Sequence, residues 1–229
     1  MNVSGPFRSW LFAPGNHRRR VEKALSLDAD VVILDLEDAV AVVEKPATRE
    51  LVVAALLGPR TGLGYIRVNA YDTDFCYGDL CAVVAKGVDG IVLPKVETAD
   101  QIKSVDWLIS QLEHDAGLDV GCIDILPIIE TGLGVANVRP IAEAGTRVRR
   151  LSFGGGDYSK DMTMNWTLGE AEMAHARAEI ALASRAAGLD APIDTVWVHI
   201  KDTDGCRSSA QTVQDMGYQG KLCIHPDQI

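Results

Sequence analysis

The sequence is short of positive charge, of aromatic side chains and of long apolar runs. It carries 22 Lys and Arg against 32 acidic residues, a net charge of -10. That balance argues against broad nucleic-acid binding, which needs surplus cations against phosphate. No stretch of 18 uncharged apolar residues occurs, and the opening MNVSGPFRSWLFAPGNH has no apolar core behind a basic start. Neither a membrane span nor a signal peptide is therefore expected, and the chain reads as cytoplasmic. The five cysteines, at 76, 81, 122, 206 and 223, are odd in number and contain no C-x-x-C pair. That favours small, reduced core residues over a disulfide or zinc framework. The H-E-x-x-H zinc motif, the G-x-x-x-x-G-K-[ST] phosphate loop and the G-x-S-x-G nucleophile elbow are all missing. GLGVAN (132–137) matches only part of a dinucleotide fingerprint, without the third glycine.

What is present is a 47% apolar chain of 229 residues, enough to bury a large core, with no linker or repeat to divide it; residues 1–229 read as a single domain. Eight short apolar runs recur: SWLFA (9–13), VVILDL (31–36), YIRVN (65–69), GIVLPK (90–95), IDILPII (123–129), RRLSFG (149–154), VWVHI (196–200) and KLCIHP (221–226). Between them lie amphipathic segments such as RRRVEKALSL, ADQIKSVDWLISQLEHDAG and LGEAEMAHARAEIALASRAAG, the last two closed by glycine. Strand alternating with helix means parallel strands, and eight such units point to a closed (β/α)8 TIM barrel. Such barrels usually take about 250 residues. This chain stops soon after the eighth run, short of a final helix. GGGDYSKDMTMNWT (154–167) reads as a long loop before a helix starting near Leu168.

In this fold the C-terminal ends of the strands carry chemistry. The unusual polar residues fall there: Asp35, Glu37 and Asp38 after the second run, Arg67 and Asn69 after the third, Lys95 and Glu97 after the fourth, Glu130 after the fifth, Asp157 after the sixth and His225 after the eighth. His199 is likewise read as strand-borne. Taken alone, Asp35 is a buried carboxylate paired to an Arg or Lys, because unpaired burial costs several kcal/mol. Taken together, carboxylates without a Cys/His pattern favour a hard cation such as Mg2+, and Glu130 and Asp157, on neighbouring strands, are placed to share one. The basic run HRRRVEK (17–23) stands against the overall sign and is either a solvated helix face or a patch for a phosphorylated ligand.

The runs RSWLFAPGN, ADVVILDLEDAV with EKPATR, IRVNAYDT, GIVLPKVE, ILPIIET, FGGGDY and GKLCIHPDQI resemble, in order and over nearly the whole chain, the citrate lyase beta subunit-like branch of the HpcH/HpaI aldolase superfamily. That resemblance implies a (β/α)8 barrel and a Mg2+-dependent carbon-carbon lyase acting on 3-hydroxyacyl thioesters such as citryl, malyl or citramalyl conjugates of coenzyme A or an acyl carrier. It implies Glu130 and Asp157 as Mg2+ ligands and Arg67 as the grip on the substrate carboxylate. Glu37 and Asp38 would organise metal waters and Arg67, while Phe12, Arg19, Lys23 and the Ile224-His225 backbone would line the thioester and coenzyme A path. It further implies a homo-oligomer, trimer or hexamer. Gly156 stands where the family often has an acid, and the family's C-terminal segment, with its acidic group, has no counterpart here, so no general base is assigned. Two other readings fit the same residues: an aldolase acting on free 2-oxo acids, which would not need Arg19 and Lys23, and a non-catalytic acyl-CoA-binding paralogue.

Overall fold

The computed structural model describes residue 5 and residues 7–229; residues 1–4 and 6, within the opening MNVSGPFRSWLFAPGNH, lie outside the described residues. Eight parallel strands, β1 (Ser9–Pro14), β2 (Val31–Asp35), β3 (Leu63–Arg67), β4 (Gly90–Leu93), β5 (Asp124–Ile129), β6 (Ser152–Phe153), β7 (Ile193–Asp194) and β8 (Gly220–Cys223), close into one barrel in chain order. The helices around it are α1 (Arg18–Leu25), α2 (Lys45–Leu56), α3 (Cys76–Val83), α4 (Ala99–Asp115), α5 (Gly132–Ala136), α6 (Val138–Ala142), α7 (Gly155–Asp161), α8 (Ala174–Ala186) and α9 (Thr203–Asp215). The expected (β/α)8 architecture is therefore observed. After β8 the described chain makes one 3-10 turn, Pro226–Gln228. No helix among the described residues is long and apolar enough to cross a membrane.

Strand side chains alternate between two layers, as a period of two requires. Val31 and Ile33 join Trp10, Tyr65, Val92, Leu126, Ile128, Ile193 and Leu222 in an inner cluster, while Val32, Leu34, Ile66, Ile125 and Ile129 belong to the layer shared with the helices. Continuing the inward series one step past the apolar residues reaches Asp35 after Val31 and Ile33, Arg67 after Tyr65, and Glu130 after Leu126 and Ile128. The polar site thus grows out of the same alternation that fills the barrel. Register brings its parts side by side: Asp35 is the partner of both Pro14 and Arg67, and Ile129 that of Phe153.

Helix ends follow local chemistry. Thr98 caps α4 through a capping box with Gln101. Glu97, expected at the mouth, belongs to this cap: its N–H donates to Gln101 Oε1 at 2.8 Å and its carbonyl accepts from Asn137 Nδ2 at 2.9 Å. The chain leaves α4 and α8 through Gly117 (φ +68°) and Gly188 (φ +73°), as the closing glycines implied.

Five expectations are corrected. VWVHI (196–200) is not a strand; β7 lies upstream, and Trp197 turns in against His199 while Val198 and Ile200 are exposed. His199 is therefore not strand-borne, and β8 ends at Cys223, so His225 caps the following 3-10 turn instead of closing the strand. GGGDYSKDMTMNWT is not all loop, because Gly155–Asp161 forms α7. Tyr158 packs edge-on against Phe153 and the Ser159 hydroxyl donates to the Gly155 carbonyl, so tertiary packing overrides the low helix propensity of glycine. The helix expected near Leu168 starts instead with a 3-10 turn at Ala171 and continues as α8.

Candidate active site

Arg67 is the hub. Its Nε and Nη2 donate to the two oxygens of Asp35 at 2.7 and 2.6 Å, while Nη1 lies 3.1 Å from Glu37 Oε2 and 3.5 Å from Asp38 Oδ2. The guanidinium carbon sits 4.9 Å from the centroid of the Phe12 ring. Asp35 also accepts the backbone N–H groups of Glu37 and Ala39 at 2.9 and 3.0 Å. Burial pushes the Asp35 carboxyl up, but the Arg67 charge and these hydrogen bonds outweigh it and hold the group below its ordinary value. The expected Arg partner for Asp35 is thus present. The bidentate edge of Arg67 is consequently occupied by Asp35, which leaves Nη1 as the side turned towards Glu37 and Asp38.

The backbone carrying Glu37 is fixed from below. Lys45, buried at the start of α2, donates through Nζ to the carbonyls of Leu36 and Glu37 and to Asn69 Oδ1. Asn69 in turn donates to Asp79 through both its backbone N–H and its Nδ2. Asn69 therefore braces the site and does not open into it.

Glu130 is buried, with Oε1 accepting the Lys95 N–H at 2.9 Å. Burial raises its carboxyl to about 8, against the opposing pull of Lys95 and Arg67. Gly154 makes this placement possible: a Cβ there would lie 2.4 Å from Glu130 Oε2 and 2.8 Å from Ile128 Cγ2. The Gly155 N–H donates to Thr195 Oγ1 at 2.7 Å, tying the start of α7 to the segment after β7. Asp157, in the first turn of α7, has Oδ2 3.0 Å from Lys95 Nζ, which also reaches Glu37 Oε1 at 2.5 Å. Lys95 holds this position with φ of +51°. A non-glycine residue in that left-handed region costs roughly 1–2 kcal/mol, a strain of the kind found at functional sites.

Asp35, Asp38, Arg67, Glu130, Asp157 and Phe12 line one cavity of about 490 Å3, floored by apolar Ile128, Val196 and Leu222. A second, of about 1070 Å3, adjoins it and is lined by Arg18, Arg19, Arg20, Lys23, Ile224 and His225. Phe12, Ala13, Pro14, Arg20 and Ile224 line both. Of the residues to which the family resemblance gave a role, all face one of two joined cavities apart from Glu37, which lies buried beside Arg67 and Lys95; Asn69, Glu97 and His199 line neither. Two residues were given no role: Lys95, although it ends the fourth run in LPKVE, and Arg20, which bridges the cavities from within HRRRVEK.

The charge balance of the first cavity suits a divalent cation. Five carboxyl groups, of Asp35, Glu37, Asp38, Glu130 and Asp157, meet three cations: Arg67, Lys95 and, at the junction with the second cavity, Arg20. Glu37 is pushed up by burial, and its Oε2 makes no hydrogen bond. Among the described residues no three His, Cys, Asp or Glu side chains converge closely enough to hold a metal by themselves. Two carboxylates with water and substrate oxygens completing the set is the manner in which Mg2+ is held.

α1 begins with Arg18, Arg19 and Arg20 and has no acid in its first turn. Cations at the positive end of a helix dipole are unfavourable, and a bound anion relieves this.

Comparison with known proteins identifies the family. Residues 8–226 match the family model for HpcH/HpaI aldolase/citrate lyase. Citrate lyase subunit beta of Leuconostoc mesenteroides subsp. cremoris is 38% identical over all of this chain and 76% of its own length. A (3S)-malyl-CoA thioesterase of Cereibacter sphaeroides is 35% identical, covering 98% of this chain and 75% of its own. The crystal structure of the CitE protein of Mycobacterium tuberculosis in complex with magnesium, acetoacetate and coenzyme A superposes with a TM-score of 0.79 at 30% identity, covering 100% of this chain and 79% of that one. The chain belongs to the HpcH/HpaI aldolase/citrate lyase family.

Proposed function

We propose that this chain, a carbon-carbon lyase by family, cleaves or forms a 3-hydroxyacyl thioester of coenzyme A, or of a carrier bearing the same arm, to give an acyl thioester and a 2-oxo acid. The observation that carries this reading is the pair of joined cavities: an acidic mouth suited to a divalent cation opens directly onto a groove lined by four cations of α1.

In this reading Glu130 and Asp157 would hold Mg2+, which would supply Lewis acidity to the oxygens of the acyl group. Arg67, fixed by Asp35 and steered by Glu37 and Asp38, presents Nη1 to the acyl carboxylate. Phe12 covers the guanidinium and shields the ion pair from water. The apolar floor of Ile128, Val196 and Leu222 accepts the hydrocarbon part of the acyl group. Arg18, Arg19, Arg20 and Lys23 pair with the phosphates of coenzyme A, and the backbone at Ile224 and His225 guides its thioester arm between the cavities. Loss of the hydroxyl proton and rupture of the adjacent C–C bond then give the 2-oxo acid and a thioester enolate, which takes up a proton. The relatives named citrate lyase subunit beta, and the magnesium and coenzyme A in the M. tuberculosis structure, support this assignment.

The test is incubation of the purified protein with malyl-, citramalyl- and citryl-CoA, with and without EDTA. Release of a 2-oxo acid with the acyl-CoA intact, abolished by EDTA and restored by Mg2+, is expected. Release of free thiol would instead indicate hydrolysis, the activity named for the C. sphaeroides relative. Cleavage of free hydroxy-oxo acids alone, or acyl-CoA binding without turnover, would overturn the proposal.

A further inference from the structure

Lys95 takes no part in the mechanism above, yet two of its groups enter the site. Its N–H donates to Glu130 Oε1 at 2.9 Å, and its ammonium bridges Glu37 Oε1 at 2.5 Å and Asp157 Oδ2 at 3.0 Å. The left-handed backbone at Lys95 allows both contacts at once. The side chain is 33% exposed, with solvent within reach of its flexible four-carbon stem. Arg67, at 12% exposure and held bidentately by Asp35, has no such freedom.

We propose that Lys95 is a resident counter-cation: it holds Asp157 towards Glu37 while the site is metal-free, and it releases Asp157 when a divalent cation binds. This rests on the reading of Glu130 and Asp157 as the metal-holding pair. An ammonium and a dication that share one carboxylate repel strongly at a separation of a few ångströms. At equal distance in the same medium the Coulomb attraction of a dication to Asp157 is twice that of the ammonium, which favours displacement of Lys95. The backbone N–H keeps its bond to Glu130 throughout, so displacement moves the side chain alone. The presence of Lys95 thus lowers metal affinity, while keeping the carboxylates from repelling one another before loading.

The test is calorimetric titration of the full chain with Mn2+, with melting curves in the metal-free and metal-loaded forms. Lys95→Met and Lys95→Gly are each expected to bind Mn2+ about tenfold or more tightly than the unsubstituted protein. Their metal-free forms should melt lower and their loaded forms should recover, a split that a purely structural lysine would not produce. Lys95→Arg should return the Kd to the unsubstituted value or weaken it further. Glycine accepts the backbone conformation at this position, so the second variant reads the effect should methionine prevent folding. Unchanged or weaker Mn2+ binding in both variants overturns the inference, as does failure of both to fold, which would make Lys95 a structural requirement. Absence of Mn2+ binding by the unsubstituted protein would overturn the metal assignment itself.

Discussion

Replacing Asp35 with alanine removes one of the most completely paired carboxylates in the molecule. Asp35 is 2% exposed, receives two guanidinium hydrogen bonds from Arg67 at 2.7 and 2.6 Å, and accepts two backbone N–H groups. Removing one partner of a buried ion pair leaves the other charge uncompensated and costs about 3–5 kcal/mol. At about 2–4 °C per kcal/mol for a chain of this size, Tm should fall by about 6–20 °C. The assay is urea and thermal unfolding of Asp35→Ala beside the double variant Asp35→Leu/Arg67→Met. Exchanging both members of a buried pair for apolar residues is often neutral or stabilising, so the double variant should recover part of the lost stability, the remainder being lost where Glu37 no longer faces Arg67 Nη1, while losing turnover. The pair also fixes a sign with pH. Its folded carboxyl lies below the ordinary value, so its contribution is complete above that value and disappears as pH falls through the lowered one. A loss below about 1 kcal/mol for Asp35→Ala, well under the range for a broken buried pair, would refute this account of why a carboxylate ends β2.

Other outcomes follow from neighbouring contacts. Gly154→Ala places a Cβ 2.4 Å from Glu130 Oε2 and should cost about 1–3 kcal/mol by overpacking while weakening Mn2+ binding, read by melting and metal titration. Arg19→Ala and Lys23→Ala should raise KM for an acyl-CoA substrate about tenfold with kcat little changed, an effect that fades at high salt, as measured by initial rates across ionic strength. Glu130, raised to about 8 when metal-free, should make Mn2+ affinity climb with pH up to that value as its proton is released, seen by titration at pH 6, 7 and 8. The same raised carboxyl stabilises the metal-free fold fully below its unfolded value and loses that contribution as pH rises through about 8, so Tm without metal should fall over this range and added metal should reverse the fall.

Much of the site can be read from the chain because the inward period of two runs straight from apolar residues into charge, at Asp35 in VVILDLED, Arg67 in YIR and Glu130 in ILPIIE. Where that alternation is short or interrupted, reading fails. β7 is two residues long, and its Asp194 is buried against Arg177 and Lys221, so it looks polar while the apolar VWVHI beside it looks like a strand. α7 opens with glycines that argue against a helix, and is made by Tyr158 packing on Phe153. Lys95 stands in plain view in LPKVE. Its role depends on a positive φ and on carboxylates from three other strand ends, neither of which local sequence encodes.

The most direct test of the account is diffraction from crystals grown with Mn2+, read at the manganese edge. The account predicts one anomalous peak at the mouth of the barrel, about 2.0–2.3 Å from a carboxylate oxygen of Glu130 and from one of Asp157. A peak held by other residues, or density showing Asp157 still on Lys95 with no ion beside Glu130, would contradict it.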